Sequence, residues 1–401
     1  MVAPFFPALS ANGDRLYLDS AATTLRLRCA MERMGKFYGE SSNVHRGLYR
    51  LSEAATEAYE NARSLVGKYI GAETSDEVIF VRGTTEAINL VAHSWRRTFP
   101  KRGDRIMVTV MEHHSNFLPW QLAADEIGAD FDVCGILENG ELDMDDFRKK
   151  LSPRTRMVAV AHVSNTLGTI NPIEEIVRLA HGVGALVLVD GAKQSDAGPI
   201  DVAKLGCDFY AFSGHKMFAG TGIGILWGRK NVLEAMEPFQ LGGGMVERFS
   251  GNNSQWQQLP AKFEAGTPNV GGALGLAAAV EFLMDFPWED QFNYFLSIRE
   301  YFERTICEFD GLRILGNPAL KVGVFSLVSD RFHAHDIATA LATRNVCVRA
   351  GTHCAQPLCK KLAVPASLRV SFSIYNSIGD AQRFIEELHW ALEFLNLRMA
   401  S

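Results

Sequence analysis

Phe209-Tyr210-Ala211-Phe212-Ser213-Gly214-His215-Lys216 opens with four apolar residues and closes on a hydroxyl, a glycine, an imidazole and an amine. A strand that is apolar on both faces lies inside a sheet covered by helices. Polar groups directly after it then fall at the sheet's carboxyl edge, where open α/β sheets bind ligands. The pattern recurs. Ala185-Leu186-Val187-Leu188-Val189 runs into Asp190-Gly191-Ala192, Val78-Ile79-Phe80-Val81 into Arg82-Gly83-Thr84-Thr85-Glu86-Ala87, and Ile106-Met107-Val108-Thr109-Val110 is followed by Glu112-His113-His114-Ser115-Asn116. Met157-Val158-Ala159-Val160-Ala161 precedes His162-Val163-Ser164-Asn165, and Gly224-Ile225-Leu226-Trp227 reads as a sixth strand. Helical spacing of apolar residues at 53–69, 85–99 and 173–181 places helices between them, which is the rhythm of βαβ units around a mostly parallel sheet.

The α/β region spans residues 21–285 in this reading and ends with a helix over 271–286. A smaller α+β region follows at 286–401, with helices at 295–309, 335–344 and 380–395 and strands at 322–328, 346–349 and 368–372. Residues 1–20 are expected to pack on that smaller region. The Asn-, Ser- and Gln-rich stretch at 250–258 reads as a long loop.

At 401 residues, 47% hydrophobic and 21% charged, the chain is long enough to bury a large core. A net charge of −6 with dispersed Lys and Arg gives no electrostatic footprint for nucleic acid or an anionic membrane. The first residues lack the basic-then-apolar pattern of a secretory signal, and no apolar run reaches membrane-spanning length, so a cytoplasmic setting is expected. Seven scattered cysteines argue against a disulfide framework.

An amine (Lys216), a carboxylate (Asp190) and a thiol (Cys354) each stand in a distinctive setting. A lysine needs such company to hold a carbonyl cofactor as a Schiff base, and pyridoxal phosphate also wants a carboxylate at its ring nitrogen. Asp190 ends the most apolar strand, where a carboxylate is desolvated at a cost or paired with a cation; a turn cap before Gly191 is the alternative. Thr84 and Thr85 open a helix whose N–H groups and hydroxyls suit a phosphate, although an ordinary capped helix has the same appearance. His113 can stack on a planar cofactor and exchange protons near its reactive carbon. No second cluster at ligand spacing and no Cys-x-x-Cys accompany the histidine pair, so no metal is expected. Gly220, Gly222 and Gly224 lead into a strand instead of opening a helix, which disfavours a dinucleotide site. Positive charge near Cys354 favours the thiolate, with a buried inert cysteine as the alternative. Arg349 and Arg369 flank strands, where a guanidinium can hold a substrate carboxylate.

Asn43-Val44-His45-Arg46-Gly47, the segments around Thr84, His113, Asn165, Asp190 and Lys216, Phe263-Glu264-Ala265-Gly266-Thr267-Pro268-Asn269 and Arg349-Ala350-Gly351-Thr352-His353-Cys354-Ala355 together resemble the cysteine desulfurases. The closer likeness is to the group with a compact Arg-x-Gly-x-His-Cys-Ala segment. The resemblance covers residues from about 16 to about 390 and implies a fold type I, class V pyridoxal phosphate enzyme. It implies that Lys216 carries the cofactor and removes the substrate's Cα proton, that Asp190 pairs with the pyridine nitrogen, and that His113 stacks on the ring. Thr84, Thr85, Ser213 and His215 are implied to hold the phosphate, and Thr267 to reach the phosphate of a partner subunit's site in a homodimer. Asn165, Arg369, Arg349 and His45 are implied for the substrate. L-cysteine would become L-alanine, its sulfur passing to Cys354 as a persulfide and on to an acceptor protein, with iron–sulfur cluster assembly as a use. Selenocysteine lyase and cysteine sulfinate desulfinase are the neighbouring activities. A noncatalytic scaffold is disfavoured by the presence of Lys216, Asp190 and Cys354.

Three positions depart from the family pattern. Lys193 stands in the cofactor site where Gln is usual, and its charge is expected to lower the pKa of the Lys216 Schiff base relative to Lys193→Gln. Ala219-Gly220 replaces a common Gly-Pro, and Thr352 stands where His or Gln is common.

Overall fold

The structure, a computed structural model, describes residues 2–10, 14–40, 43–251 and 254–399. After a two-residue strand β1 (Leu16–Tyr17), the main sheet takes β2 (Val78–Val81), β3 (Arg105–Thr109), β4 (Asp130–Cys134), β5 (Thr155–Ala161), β6 (Leu186–Asp190), β7 (Phe209–Ser213) and β8 (Gly224–Gly228). Their order is β2-β8-β7-β6-β5-β3-β4, parallel except where β8 runs against β2 and β7. All six strands expected from the apolar runs are present. β4 was not foreseen, because an edge strand that alternates Asp with apolar residues is only half-buried and lacks a continuous apolar run.

Helices cover both faces of this sheet, which is why its central strands are buried throughout. On one face, the helices Thr84–Thr98 and His114–Ile127 meet through Trp95 and Trp120, whose rings lie edge to face at 5.9 Å. On the other, the helix Val270–Met284 packs against Arg28–Gly39 and Arg50–Tyr69. Its sides are apolar all round, as suits a helix enclosed by neighbours. The helix Arg28–Gly39 was not expected, and neither was His114–Ile127, whose internal Pro119 interrupts the usual pattern.

The stretch at 250–258 corrects the sequence reading. β9 (Val246–Phe249) pairs antiparallel with β10 (Ser254–Trp256), so a hairpin occupies much of the expected loop, while residues 252–253 lie outside the described residues. A four-stranded antiparallel sheet follows, built from β11 (Leu312–Ile314) and β12 (Val324–Ser329) with two later strands. The expected strand at 346–349 divides. β13 (Val346–Cys347) pairs in parallel with β1, and β14 (Arg349–Gly351) joins β15 (Ser367–Ser371), giving the order β11-β12-β15-β14. Leu16 and Leu18 enter the apolar core beneath this smaller sheet, together with Phe302, Phe325 and Leu388. Among the described residues no single helix is long and apolar enough to cross a membrane.

Candidate active site

The carboxyl ends of β2, β3, β5, β6 and β7 converge on one cleft, and β14 and β15 close it from the smaller sheet. The cavity has a volume of about 330 Å³. Lys216 and Asp190 line it, together with His113, Asn165 and Lys193. Thr84, Thr85, Ser213 and His215 lie towards one end, and Arg349, Cys354 and Arg369 come from the smaller sheet. His45 and Thr267 are placed elsewhere in this chain. His45 packs edge to face on Tyr59 and lies 3.7 Å from Glu60, while Thr267 lines a separate cavity of about 310 Å³ that Tyr59 also borders.

Lys216 follows β7 in a single 3-10 turn. Burial pushes its ammonium down to about 8, with Asp190 opposing that shift. A lysine desolvated in this way has a larger neutral fraction near physiological pH than an exposed one, which favours Schiff-base chemistry. Asp190 is 5% exposed, and burial raises its carboxyl above the usual range despite the Ala192 N–H donating to Oδ1 at 2.9 Å. The next residue must be Gly191, because a Cβ there would stand 2.0 Å from the Tyr210 ring of the neighbouring strand. Placing the acid at the end of β6 therefore requires its neighbour to have no side chain.

At the other end, Thr84 N donates to Ser213 Oγ at 2.8 Å and the two hydroxyls meet at 2.7 Å. Thr85 Oγ1 lies 2.8 Å from Ser115 Oγ. The backbone N–H groups of the helix Thr84–Thr98 begin here, so this is an anion cradle at the positive end of a helix dipole. His215 is held from behind, its Nδ1 at 3.1 Å from Thr23 Oγ1. Burial, with help from Lys216, lowers both His113 and His215 to about 4, so both rings are neutral at pH 7. His113 Nδ1 accepts from Ser115 N at 3.1 Å, which leaves the proton on Nε2.

Beneath His113, the carboxyl of Glu112 is fully buried. It accepts from Thr109 Oγ1 and Asn116 Nδ2 at 2.6 Å each and from Ala161 N at 3.0 Å, which fixes the loop after β3 against β5. Burial nonetheless raises it to about 8.

The thiol sits on a loop between β14 and β15. His353 and Cys354 both have left-handed backbones, with φ of 53° and 56°, a conformation non-glycine residues adopt at a cost. The loop is tied to the larger sheet, since His114 N donates to Cys354 O and Asn165 Nδ2 to His353 O, both at 2.8 Å. Burial drives His353 down to about 3, so this imidazole brings no positive charge to the thiol, and the nearby cations are the two arginines. The buried-cysteine alternative fails because Cys354 is exposed.

The residues present fit pyridoxal phosphate. A buried amine, a buried carboxylate across the cavity and a hydroxyl-lined helix start match its aldehyde, ring nitrogen and phosphate. Four contributors were missed as individual residues: Asp19, Glu112, Ser115 and Asp196. Asp19 carried a usable signal, because Leu16-Tyr17-Leu18 followed by a carboxylate has the same apolar-then-polar form as the main strands.

This fold and site define a pyridoxal phosphate-dependent α/β enzyme. The chain belongs to the class-V aminotransferase family, whose pattern it matches over residues 16–384, and within it to the cysteine desulfurases. It is 43% identical over 397 residues to a probable cysteine desulfurase of Halalkalibacterium halodurans, covering 98% of each chain. It is 41% identical over 381 residues to a cysteine desulfurase of Haloferax volcanii, covering 94% of this chain and 89% of that one. Among solved structures, the cysteine desulfurase CsdA of Escherichia coli superposes with a TM-score of 0.91 at 36% identity, covering 98% of each chain.

Proposed function

We propose that this cleft converts L-cysteine to L-alanine and moves the sulfur onto Cys354. The observation that carries this reading is the exposed Cys354 at the mouth of the same cavity that holds the buried Lys216 and Asp190. Lys216, Asp190 and His113 would hold the cofactor's aldehyde, ring nitrogen and ring face, and Thr84, Thr85, Ser213 and His215 its phosphate. Asn165 and Lys193 border the same space. Pyridoxal phosphate, when bound, supplies the electron-withdrawing ring that makes the substrate's Cα–H acidic and its C–S bond labile.

Arg369, with Arg349 beside it, holds the substrate carboxylate, which places Cα towards Lys216. The Lys216 Nζ then removes the Cα proton, a role its lowered basicity suits near neutral pH. Neutral His113, with its proton on Nε2, can pass a proton towards the carbon that the sulfur leaves. The Cys354 thiolate takes the sulfur: the substrate's Cβ–S bond breaks, an S–S bond forms on Cys354, and Cβ gains a proton as alanine is released. A second thiol then collects the terminal sulfur.

His45 and Thr267 lie away from Lys216 in their own chain, which supports a homodimer in which each subunit completes its partner's site. A sulfur-acceptor protein is the expected partner, with iron–sulfur cluster assembly as the use suggested by the resemblance. Seven unpaired cysteines support a reducing, cytoplasmic setting.

Cys354→Ala tests the reading. The variant is expected to retain its visible cofactor absorbance and to lose at least about 100-fold in alanine formation from L-cysteine. Undiminished turnover would exclude sulfur transfer through Cys354. Alanine formed from L-cysteine, L-cysteine sulfinate and L-selenocysteine by the unaltered enzyme ranks the three substrates.

A further inference from the structure

A second cavity, of about 210 Å³, lies where the turn after β6 meets the helix Trp288–Ile306 and the segment leading into β12. Phe292, Phe295, Leu296 and Phe372 give it apolar walls. Phe372 is buried whereas Phe292 and Leu296 are exposed, so the cavity opens beside the helix. A space of this size takes one aromatic ring with a short substituent, since a cavity of about 150 Å³ suffices for benzene.

Four charged side chains border it: Lys193, Asp196, Arg299 and Lys321. Two of the cations are satisfied. Lys193 is paired with Asp196, whose other oxygen accepts from Ser373 Oγ at 3.1 Å. Arg299 Nε donates to both oxygens of Glu303 at 3.1 Å, and its Nη1 and Nη2 reach Ala319 O and Pro318 O at 3.2 and 3.0 Å. Lys321 is left over. It is 6% exposed, and its Nζ has no hydrogen-bond acceptor among the described residues. Glu303, already held by Arg299, stands 3.7 Å away, and the Phe325 ring centroid lies at 4.6 Å. Burial lowers this ammonium to about 8, which leaves most of its charge in place at pH 7. A buried ammonium without an acceptor is costly, and a carboxylate in the adjoining cavity would supply one.

We propose that this cavity binds a small aromatic monocarboxylate, its ring among Phe292, Phe295 and Phe372 and its carboxylate towards Lys321, and that the occupant is felt in the cleft through Lys193. Lys193 lines both cavities, so they share a wall. Lys193 and Asp196 each act on the charge of Lys216, which puts the pair that walls the second cavity within electrostatic reach of the cleft. An anion added on the far side of that pair favours the protonated form of the nitrogen at 216, and by linkage each site then influences the other equally.

The test uses the full-length holoenzyme, with phenylacetate as the probe. Calorimetric titration is expected to give a Kd below about 1 mM, with phenylacetamide, its neutral isostere, at least about tenfold weaker. Lys321→Met removes the charge and keeps most of the side chain's length, whereas Leu296→Trp fills the opening and keeps the charge. Each is expected to weaken phenylacetate at least about tenfold with L-cysteine turnover unchanged. Thermal melts establish folding, and either variant carries the test if the other does not fold. Saturating phenylacetate is expected to move the pH titration of the visible absorbance upward by roughly a few tenths of a unit in wild type and to leave it in place in Lys321→Met. Binding that both variants retain would put the probe elsewhere, the arginine-lined cleft included, and overturn the proposal. Equal affinity for the amide, or a wild-type titration that phenylacetate does not move, would overturn it as well. None of these binding and absorbance readings requires alanine formation, so failure of the sulfur transfer proposed above would leave them standing.

Discussion

Lys193 and Asp196 enter the interior together. They are 3% and 1% exposed, with Nζ 2.5 Å from Oδ1, and Ser373 Oγ holds the other oxygen at 3.1 Å. The sequence showed the unusual cation at 193 but not its partner, because three residues of separation along an irregular stretch do not announce an ion pair. The partner changes the expectation. Lys193 lowers the basicity of Lys216 and Asp196 raises it, so the pair acts on that amine in opposite senses. The larger effect of Lys193→Gln is expected in stability: it strands a buried carboxylate and should cost about 3 kcal/mol, whereas Lys193→Gln with Asp196→Asn should recover most of the loss. Denaturant midpoints of the single and double variants decide this, and equal stabilities of the single variant and wild type would contradict it.

At the level of elements, the helix Arg50–Tyr69 and strand β2 are joined through one acid from a distant segment. Glu264 accepts from Arg63 Nη1 at 2.6 Å, from Phe80 N at 2.7 Å and from Tyr59 OH at 3.0 Å, while Arg63 Nη1 also donates to Val78 O at 2.9 Å. Arg63 is almost wholly buried, and its planar fork lies over the Phe80 ring at 4.6 Å. Glu264→Ala leaves the buried guanidinium only Glu60 and Val78 O and takes the side-chain acceptor from the Phe80 N–H, so a loss of about 2 kcal/mol is expected in chemical denaturation; a change below about 0.5 kcal/mol would remove Glu264 as the tie. The strands of the main sheet were legible because continuous apolar runs have one common cause, burial on both faces. β4 and the helix His114–Ile127 were not. The first alternates acids along an edge, and the second carries Pro119 inside the helix, where the missing N–H breaks the pattern that marks a helix in sequence. The hairpin of β9 and β10 was hidden for a different reason: its polar residues are half-buried or exposed, and its pairing is set by backbone hydrogen bonds that composition does not reveal.

For the whole molecule, the proposed sharing of the site between two subunits would have a measurable signature. Lys216→Ala and Thr267→Ala are each expected to be nearly inactive alone. Co-expressed, they should regain about a quarter of wild-type sites, since half of randomly formed dimers are mixed and each of those holds one intact site. Activity of the mixture no greater than that of its parents would place Thr267 within its own subunit's chemistry or outside it altogether. Motifs at strand ends could be read from the chain because a sheet gathers its carboxyl edges by construction, whereas the links of Asp19 to β15 and of Glu264 to β2 join segments whose separation in sequence conveys nothing of their nearness. The anchoring of the Cys354 loop also bears on delivery. With the carbonyl groups of residues 353 and 354 both engaged by the opposite wall, the backbone there has little freedom to swing outward with its cargo. An acceptor protein of the proposed kind would have to bring its own thiol to the rim of the cleft.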